Sequence, residues 1–303
     1  MTKKLITLTL AASLLAACSK DDGKSSEQAG VEEDSEIRLN ADVWQMIEGT
    51  RATMYDGGTL TSGSFTAAAY VANTTTSYIN PVQVNYETDK WVWSDGKHYW
   101  PATGNLDFFA YMPATKPTYI TVGPTYTADH NVTFNCTDLN MNTDTEFVYD
   151  IATGQNKTDQ GASGVALNFK HPFARIKMQW ADYVHSAITS YTIKFKNIKN
   201  NGSCTFNGTT STWTPSGGNT DLTVTSLDDY GAASPTYYLV IPQDWAGVIE
   251  VTASWNDWGD TPVEHTLTTT VATNWQPGYS YTYTFNISPD DLTVDTSNFT
   301  EQW

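Results

Sequence analysis

The sequence predicts an all-β protein built from antiparallel β-sandwiches, and three observations favour this fold class. The chain is rich in Thr and carries 17 Tyr and 11 Trp, residues favoured on a pleated, half-buried surface. In residues 279–287, Tyr, Phe and Ile alternate with Ser, Thr and Asn, which is typical of a strand with one face on a core. Short apolar runs recur at close spacing with turn-forming clusters between them, as in a sandwich.

The first residues predict a lipoprotein export signal. Two lysines precede a short apolar run from Leu5 to Leu15, and a small-residue cleavage pattern ends at Cys18. The run is too short for a permanent membrane helix, so we expect residues 1–17 to be a removed signal peptide. Cys18 would become the lipidated first residue, and several acyl chains there would hold the protein in the outer membrane. Residues 19–22 resemble the acidic export tag of surface lipoproteins, which predicts display outside the cell.

The chain after the signal divides into a tether and room for two domains. Residues 18–36 are charged and almost free of apolar side chains, so we expect a flexible tether that cannot offset its ordering entropy. Asn, Thr, Asp, Gly and Gln dominate residues 140–164, which marks the best candidate for a domain boundary. The sequence therefore predicts an N-terminal sandwich over residues 37–160 and a C-terminal one over residues 161–303.

Strands can be placed in both halves. Residues 65–72 and 106–111 are apolar runs of strand type, and Trp91–Trp93, an Asp-Gly turn signal and residues 98–100 predict a hairpin. In the second half, residues 165–170 alternate in polarity. The continuously apolar residues 237–241 predict a strand buried on both sides.

Charge and cysteine content narrow the classes of partner. The formal net charge is −17, which opposes binding to nucleic acid. Apart from Cys18, the chain has Cys136 and Cys204, which could pair in an oxidising envelope. Because they fall in different predicted domains, a disulfide and two separate inert thiols both remain open.

The sequence predicts no catalytic residue, metal site or cofactor. The histidines are dispersed, and the chain has no H-E-x-x-H, G-x-S-x-G or C-x-x-C pattern,. A surface lipoprotein that binds glycans through exposed aromatics is an alternative function. Trp213, Trp255 and Trp258 lie near Gly, Asn and Asp, as in a sugar-binding loop.

Five blocks follow one another along the chain: residues 49–53 (GTRAT), 90–113 (KWVWSDGKHYWPATGNLDFFAYMP), 169–176 (FKHPFARI), 239–243 (LVIPQ) and 275–283 (WQPGYSYTY). In order and spacing they resemble the fimbrillin, or Mfa-like, family of type V pilus subunit lipoproteins. The resemblance implies two transthyretin-like sandwich domains in tandem and a structural subunit that is not an enzyme. It also implies removal of an N-terminal strand by an arginine-specific protease, and polymerisation by donor-strand exchange.

The expected partners follow from the same resemblance. They are other pilus subunits in a homo- or hetero-polymer, the outer membrane, a processing protease, and a host glycan or protein receptor. A tip adhesin that does not polymerise is a further alternative.

The residues can be placed on this scheme. Ile37, Leu39, Ala41 and Val43 alternate with polar residues, which predicts the removable strand, and a sandwich lacking that strand would expose an edge for strand addition. Arg51 lies beyond them in a polar stretch that a protease could reach, so we expect cleavage there. The tail carries apolar side chains at spaced positions, and two roles stay open for it, a donor strand and a strand completing its own domain.

Overall fold

The computed structural model describes most of the chain from Ser35 onward, where the residues form one compact unit, Ser35–Trp303. The described residues are 35–41, 44–48, 53–57, 63–161, 163–181, 188–229, 232, 235–256, 261–288 and 291–302. Within them, no helix is long and apolar enough to cross a membrane.

The described residues form nineteen strands and one short helix. The elements of the first half are β1 (Leu39–Ala41), β2 (Trp44–Glu48), β3 (Thr53–Gly57), β4 (Ser64–Val71), β5 (Ser77–Glu87), β6 (Lys90–Trp93), β7 (Leu106–Met112), β8 (Ile120–Tyr126), β9 (Val132–Cys136), β10 (Val148–Gln155) and α1 (Lys157–Gln160). Those of the second half are β11 (Val165–Leu167), β12 (Ala174–Trp180), β13 (Ile188–Phe206), β14 (Ser211–Val224), β15 (Tyr237–Val240), β16 (Asp244–Trp255), β17 (Val263–Asn274), β18 (Tyr279–Ser288) and β19 (Asp291–Gln302).

Three larger sheets and two strand pairs contain these strands. The five-stranded sheet has the order β10-β7-β4-β5-β6, and the four-stranded sheet has the order β15-β12-β18-β19. The six-stranded sheet runs β17-β16-β13-β9-β8, with β14 also paired to β13. The pairs are β1-β11 and β2-β3. Most neighbours are antiparallel, while β1 pairs with β11, and β12 with β18, in parallel. The predicted all-β class is confirmed.

Two hydrophobic cores lie on opposite sides of β7. Phe108 contributes to the first core, together with Phe65 and Phe169, whereas the adjacent Phe109 contributes to the second. The alternation of a strand sends successive side chains to opposite faces, so β7 is buried on both of its faces. The second core includes the stacked rings of Trp245 and Trp275, whose centroids lie 5.2 Å apart.

Most of the strands predicted from local pattern are confirmed. Residues 65–72 and 106–111 correspond to β4 and β7. Residues 237–241 correspond to β15, which is largely buried, and residues 279–287 to β18, whose aromatic face lies in the second core.

The predicted hairpin between Trp91–Trp93 and residues 98–100 is wrong. Strand β6 pairs instead with β5, across a turn in which Thr88 and Asp89 have positive φ. Residues 98–100 do not return along β6, because their backbone groups bond to residues 35–37 of the N-terminal strand.

Among the described residues, two pairs of strands join segments on opposite sides of residue 160. Strand β9 pairs with β13, and β1 pairs with β11. A stretch of turn-forming residues signals a surface segment, but it carries no information on which distant strands will pair across it. The division into residues 37–160 and 161–303 therefore stays a prediction.

Candidate functional site

The N-terminal strand lies in a groove that buries alternate side chains. Ile37, Leu39 and Ala41 are 1%, 5% and 6% exposed and belong to the first core, whereas Arg38 and Asn40 are exposed. A period of two with one apolar face places the strand on the core as a sheet strand would lie. We refer to residues 35–41 as the groove strand.

One edge of the groove is β11. It pairs with β1 in parallel, with Leu39 opposite Val165 and Ala41 opposite Leu167. Just before this ladder, the Val165 N–H donates to the Arg38 carbonyl at 2.8 Å. The ladder itself spans only three residue pairs, so other groups must hold the rest of the groove strand.

The opposite edge comes from residues 93–100. The Ile37 N–H donates to the His98 carbonyl at 2.8 Å, and the Trp100 N–H donates to the Ser35 carbonyl at 2.9 Å. The indole Nε1–H of Trp93 donates to the Ile37 carbonyl at 3.1 Å. The groove strand is therefore hydrogen-bonded along both of its edges, like an internal strand of a sheet.

Gln160, the last residue of α1, also bonds to the groove strand. Its Nε2 donates to the Glu36 carbonyl at 3.0 Å, and its Oε1 accepts from the Arg38 N–H at 3.3 Å. The residue is 7% exposed. One side-chain amide thus bonds to two backbone groups on the same edge of the groove strand.

Gly164 lets the groove strand approach closely. Its φ is +91°, and a Cβ built there would lie 2.7 Å from the carbonyl carbon and oxygen of Arg38. Such contacts are shorter than van der Waals distance, so only glycine fits this position without movement of the groove strand.

The start of the groove strand adds a surface ion pair and an open pocket. Lys97 Nζ lies 2.7 Å from Glu36 Oε2, with the lysine more than half exposed. Exposed pairs of this kind contribute about 0–1 kcal/mol. The pocket has a volume of about 620 Å³ and is lined by Ser35, Trp100 and residues 156–159, among others.

Several predicted site residues lie outside the described part of the chain. These are Cys18, Val43 and Arg51. In sequence, Arg51 falls between β2 and β3, which pair with Glu48 opposite Thr53. The expected tether, residues 18–36, is described only at Ser35 and Glu36, and both contact the groove edge at residues 97–100.

Cys136 and Cys204, expected in different domains, lie on neighbouring strands of one sheet. Cys136 is opposite Gly202, and Cys204 is opposite Phe134. Both are buried, free thiols. Burial raises the pKa of Cys204 to about 12 and raises that of Cys136 as well. A thiol with a raised pKa forms little nucleophilic thiolate, which opposes reaction of either group in the folded chain.

The C-terminal strand β19 lies at one end of the four-stranded sheet, paired along its length with β18. Leu292 is buried in the second core, and Val294 packs against that core. In this arrangement β19 completes its own sheet.

Two of the three tryptophans proposed as a glycan site, Trp213 and Trp255, are packed against neighbours. Trp255 is buried and stacks on His265, with ring centroids 3.8 Å apart. Trp213 is half-buried, donates to the Pro172 carbonyl and packs against Phe173. Trp258 lies outside the described residues. Neither Trp213 nor Trp255 presents a wide open face on which a sugar could stack.

Gln160, Gly164 and Trp93 have no local signal in the sequence that connects them to the groove strand. Gln160 bonds to residues more than 120 positions away. Of the three, only Trp93 lies in one of the sequence blocks that resemble the fimbrillin family, residues 90–113. Among the residues that the structure describes, no group of three or more His, Cys, Asp or Glu side chains is placed to hold a metal ion.

The fold and the groove define the class: an all-β protein whose N-terminal strand is bound as a separate segment between two edges. The profile of the fimbrillin-like family matches residues 50–303. The chain belongs to the fimbrillin-like family, whose members are structural pilus subunits and not enzymes. Membership supports a role as a pilus subunit or adhesion protein, with assembly partners among other pilus subunits and a location in cell-surface fimbriae.

Solved structures with similar folds include a protein assigned to cell adhesion in Bacteroides uniformis. It is 19% identical, with a TM-score of 0.53, over 87% of this chain and 98% of that one. A second such protein, from Bacteroides ovatus, is 18% identical over 86% and 95% of the two chains, with a TM-score of 0.49. The tip fimbrial protein Mfa3 of Porphyromonas gingivalis is 10% identical over 78% and 93%, with a TM-score of 0.44. No curated protein sequence matches the chain.

Proposed function

We propose that this chain is a structural subunit of a cell-surface pilus, exported as a lipoprotein and polymerised by donor-strand exchange. In this proposal Cys18 carries the lipid, a protease cuts after Arg51, and the groove strand is replaced by a strand from a neighbouring subunit. The observation that carries it is the groove strand itself. It lies between two edges contributed by residues 93–100 and 160–167, and its ladder to β11 is only three residue pairs long.

The burial of the groove strand is large enough to make an empty groove bind a replacement strand. Fully burying a side chain such as Ile37 or Leu39 contributes about 1.5–3 kcal/mol, and the two together about 3–6 kcal/mol. Domains of this kind are stable by roughly 5–15 kcal/mol in total. A chain that loses the groove strand therefore gives up a large share of its stability, and it regains that share by binding a replacement.

The cut after Arg51 would separate two strands from the rest of the chain. Residues 18–51 include the lipidated cysteine, the groove strand and β2, whereas β3 would remain on the processed chain. Release from the lipid and opening of the groove would then follow from one proteolytic event.

The C-terminal strand β19 is a candidate donor, once it leaves β18 and enters the groove of another copy. Residues 36–41 read acidic, Ile, polar, Leu, polar, Ala, and residues 291–296 read acidic, Leu, polar, Val, polar, Thr. Leu292 and Val294 are more buried than their neighbours, as Ile37 and Leu39 are in the groove. The start of β19 thus presents side chains of similar size in the same alternation.

Digestion of the purified precursor with an arginine-specific protease tests this proposal. The chain contains three arginines, and we expect cutting after Arg51 to be followed by ladders that resist SDS. Arg51→Ala should abolish the ladders, whereas Arg38→Ala, the matched control within the groove strand, should leave them. Ladders that form equally from Arg51→Ala would overturn the assignment of the cut site.

Peptide competition tests the donor. A synthetic peptide of residues 291–303, added during digestion, should suppress the ladders. A peptide of residues 36–43 with lysine in place of Arg38, which the arginine-specific protease does not cut, should do the same. A scrambled version of residues 291–303 should have no effect. If only the 36–43 peptide inhibits, the groove accepts strands as proposed but β19 is not the donor.

The lipid anchor has its own test. Cys18→Ala should abolish incorporation of a labelled fatty acid, because the acyl chains attach to that thiol. Undiminished label in this variant would overturn the anchor. Replacing Lys20, Asp21 and Asp22 by alanine should leave the label and reduce protease accessibility on intact cells.

An adhesive role without polymerisation is the second candidate, because the similar Bacteroides uniformis structure is a protein assigned to cell adhesion. A precursor that is cut after Arg51 and stays monomeric would favour this tip-adhesin function.

A further inference from the structure

We propose that Gln160 is a backbone clamp that holds whichever strand occupies the groove, first the chain's own N-terminal strand and then the strand of a second copy. This inference rests on the proposed function, because it concerns the same groove. It assigns to one side chain a positioning role that is independent of the sequence of the bound strand.

The geometry of the amide supports this role. A glutamine side chain offers a carbonyl acceptor and an NH₂ donor on one planar group. Gln160 uses the donor on the Glu36 carbonyl at 3.0 Å and the acceptor on the Arg38 N–H at 3.3 Å. In a β-ladder, a neighbouring strand likewise bonds to the carbonyl of one residue and the N–H of the residue two positions further on. Gln160 therefore takes the place of a sheet neighbour where β11 does not extend.

Both contacts are made to the main chain. Trp93 does the same from the opposite edge, where its indole N–H donates to the Ile37 carbonyl. Every strand presents these carbonyl and N–H groups whatever its side chains are. Discrimination between strands then depends on the core sites that bind the side chains at positions 37, 39 and 41. Two of these sites hold a large side chain and one holds a small one.

The backbone around Gln160 is fixed by hydrogen bonds that do not involve the groove strand. Gln160 ends α1, whose first turn is capped by Asn156, with Oδ1 accepting from the N–H groups of Thr158 and Asp159 at 2.9 and 3.1 Å. The Gly164 N–H donates to the Gln160 carbonyl at 3.2 Å. These bonds connect the clamp to the start of β11, so that the two act on one edge.

The same chain offers a matched control. Gln243 is also buried, and its amide bonds to the backbone of Lys199, with Oε1 accepting from the N–H at 3.1 Å and Nε2 donating to the carbonyl at 2.9 Å. Its amide likewise donates one bond and accepts one from the backbone. It connects β13 to the start of β16, however, and neither of these strands pairs with the groove strand. Its removal should weaken the fold without selectively opening the groove.

The test uses the full chain in an Arg51→Ala background. Arg175 is 4% exposed, so an arginine-specific protease then reports mainly on Arg38. The Arg38 side chain is exposed, but its backbone N–H and carbonyl are hydrogen-bonded in the groove, so the protease can cleave there only when the groove strand leaves. Gln160→Met, similar in shape but without the amide, should speed cutting after Arg38 and amide exchange at Ile37 and Arg38 by roughly tenfold, since two hydrogen bonds are lost.

Amide hydrogen exchange in β18, measured in the same sample, should be as slow in Gln160→Met as in the parent. Equal exchange there would show that the variant is folded. Gln243→Met should leave cutting after Arg38 at the parent rate. Equal rates in Gln160→Met and the parent would overturn the clamp, and so would an equal acceleration by Gln243→Met.

The shared role is tested on the polymer. Ladders formed by Gln160→Met with Arg51 intact should dissociate in SDS at a lower temperature than parent ladders. Equal dissociation temperatures would overturn the claim that the clamp also holds the exchanged strand. A parent chain that forms no ladders would count against the proposed function, while the Arg38 measurement still decides on the clamp in the precursor.

Discussion

Replacing Gly164 by alanine should force the groove strand out of its place. The added methyl would lie 2.7 Å from the Arg38 carbonyl carbon and oxygen and 3.0 Å from its Cβ. These are mostly backbone atoms, which cannot rotate aside as the end of a flexible side chain can. The contact can be relieved only if the groove strand moves away from β11, which breaks the hydrogen bond between the Val165 N–H and the Arg38 carbonyl.

The expected cost has two parts. A non-glycine residue at the φ of +91° found here is strained by about 1–3 kcal/mol. Overpacking against the groove strand adds about 1–3 kcal/mol. Together they predict that Gly164→Ala lowers the free energy of unfolding by about 2–6 kcal/mol. The loss cannot exceed the free energy of detaching the groove strand, because detachment relieves the contact.

A matched variant separates the two parts. Gly104 has the same φ of +91°, but a Cβ there meets nothing within 4 Å. Gly104→Ala should therefore show the conformational strain alone in urea unfolding. Gly164→Ala should lower the free energy of unfolding by a further 1–3 kcal/mol or so. In an Arg51→Ala background it should also be cut faster after Arg38 by an arginine-specific protease. Equal stability and equal cutting in the two variants would refute the close approach of the groove strand to Gly164.

Three further predictions follow from the buried groups. Leu39→Ala should lower the free energy of unfolding by about 2–5 kcal/mol. Asn40→Ala, at the exposed neighbouring position, should change it by about 0.5 kcal/mol or less. Similar urea midpoints for the two variants would contradict the burial of Leu39 in the groove. The native chain should resist iodoacetamide at pH 8 at both Cys136 and Cys204, and its melting temperature should fall as the pH rises from about 9 towards 12. The sign follows because the pKa of Cys204 is raised from 9.0 to about 12, so the unfolded thiol loses its proton first; rapid native labelling would contradict this. Asp107→Ala should lower the free energy of unfolding in urea by about 2–4 kcal/mol. The buried Asp107 carboxylate accepts hydrogen bonds from the Tyr126 hydroxyl at 2.8 Å and from two backbone N–H groups. A change below about 0.5 kcal/mol would count against this network.

Much of the secondary structure could be predicted from local pattern. The period of two in residues 279–287 and in residues 37–41 identified β18 and the groove strand, and the observed burial follows the same alternation. Such patterns are readable because successive side chains of a strand point to opposite faces regardless of which strand lies beside it.

Pairing between distant strands could not be predicted in this way. The Asp-Gly signal after Trp93 suggested a hairpin, yet residues 98–100 bond to the groove strand and β6 pairs with β5. A turn signal describes a local bend, whereas the choice of partner depends on packing over the whole core. The same reason explains why Cys136 and Cys204, expected apart, lie on neighbouring strands.

The amino-acid sequence by itself determined the all-β class, the family, and the alternation that marks the groove strand, because these depend on composition, motif order and local periodicity. Only the tertiary structure decided how that strand is held. Gln160, Trp93 and Gly164 act on it through contacts that span 56 to 126 positions of the chain. Hydrogen bonding and close packing at such separations follow from the folded path of the backbone, which no local pattern encodes.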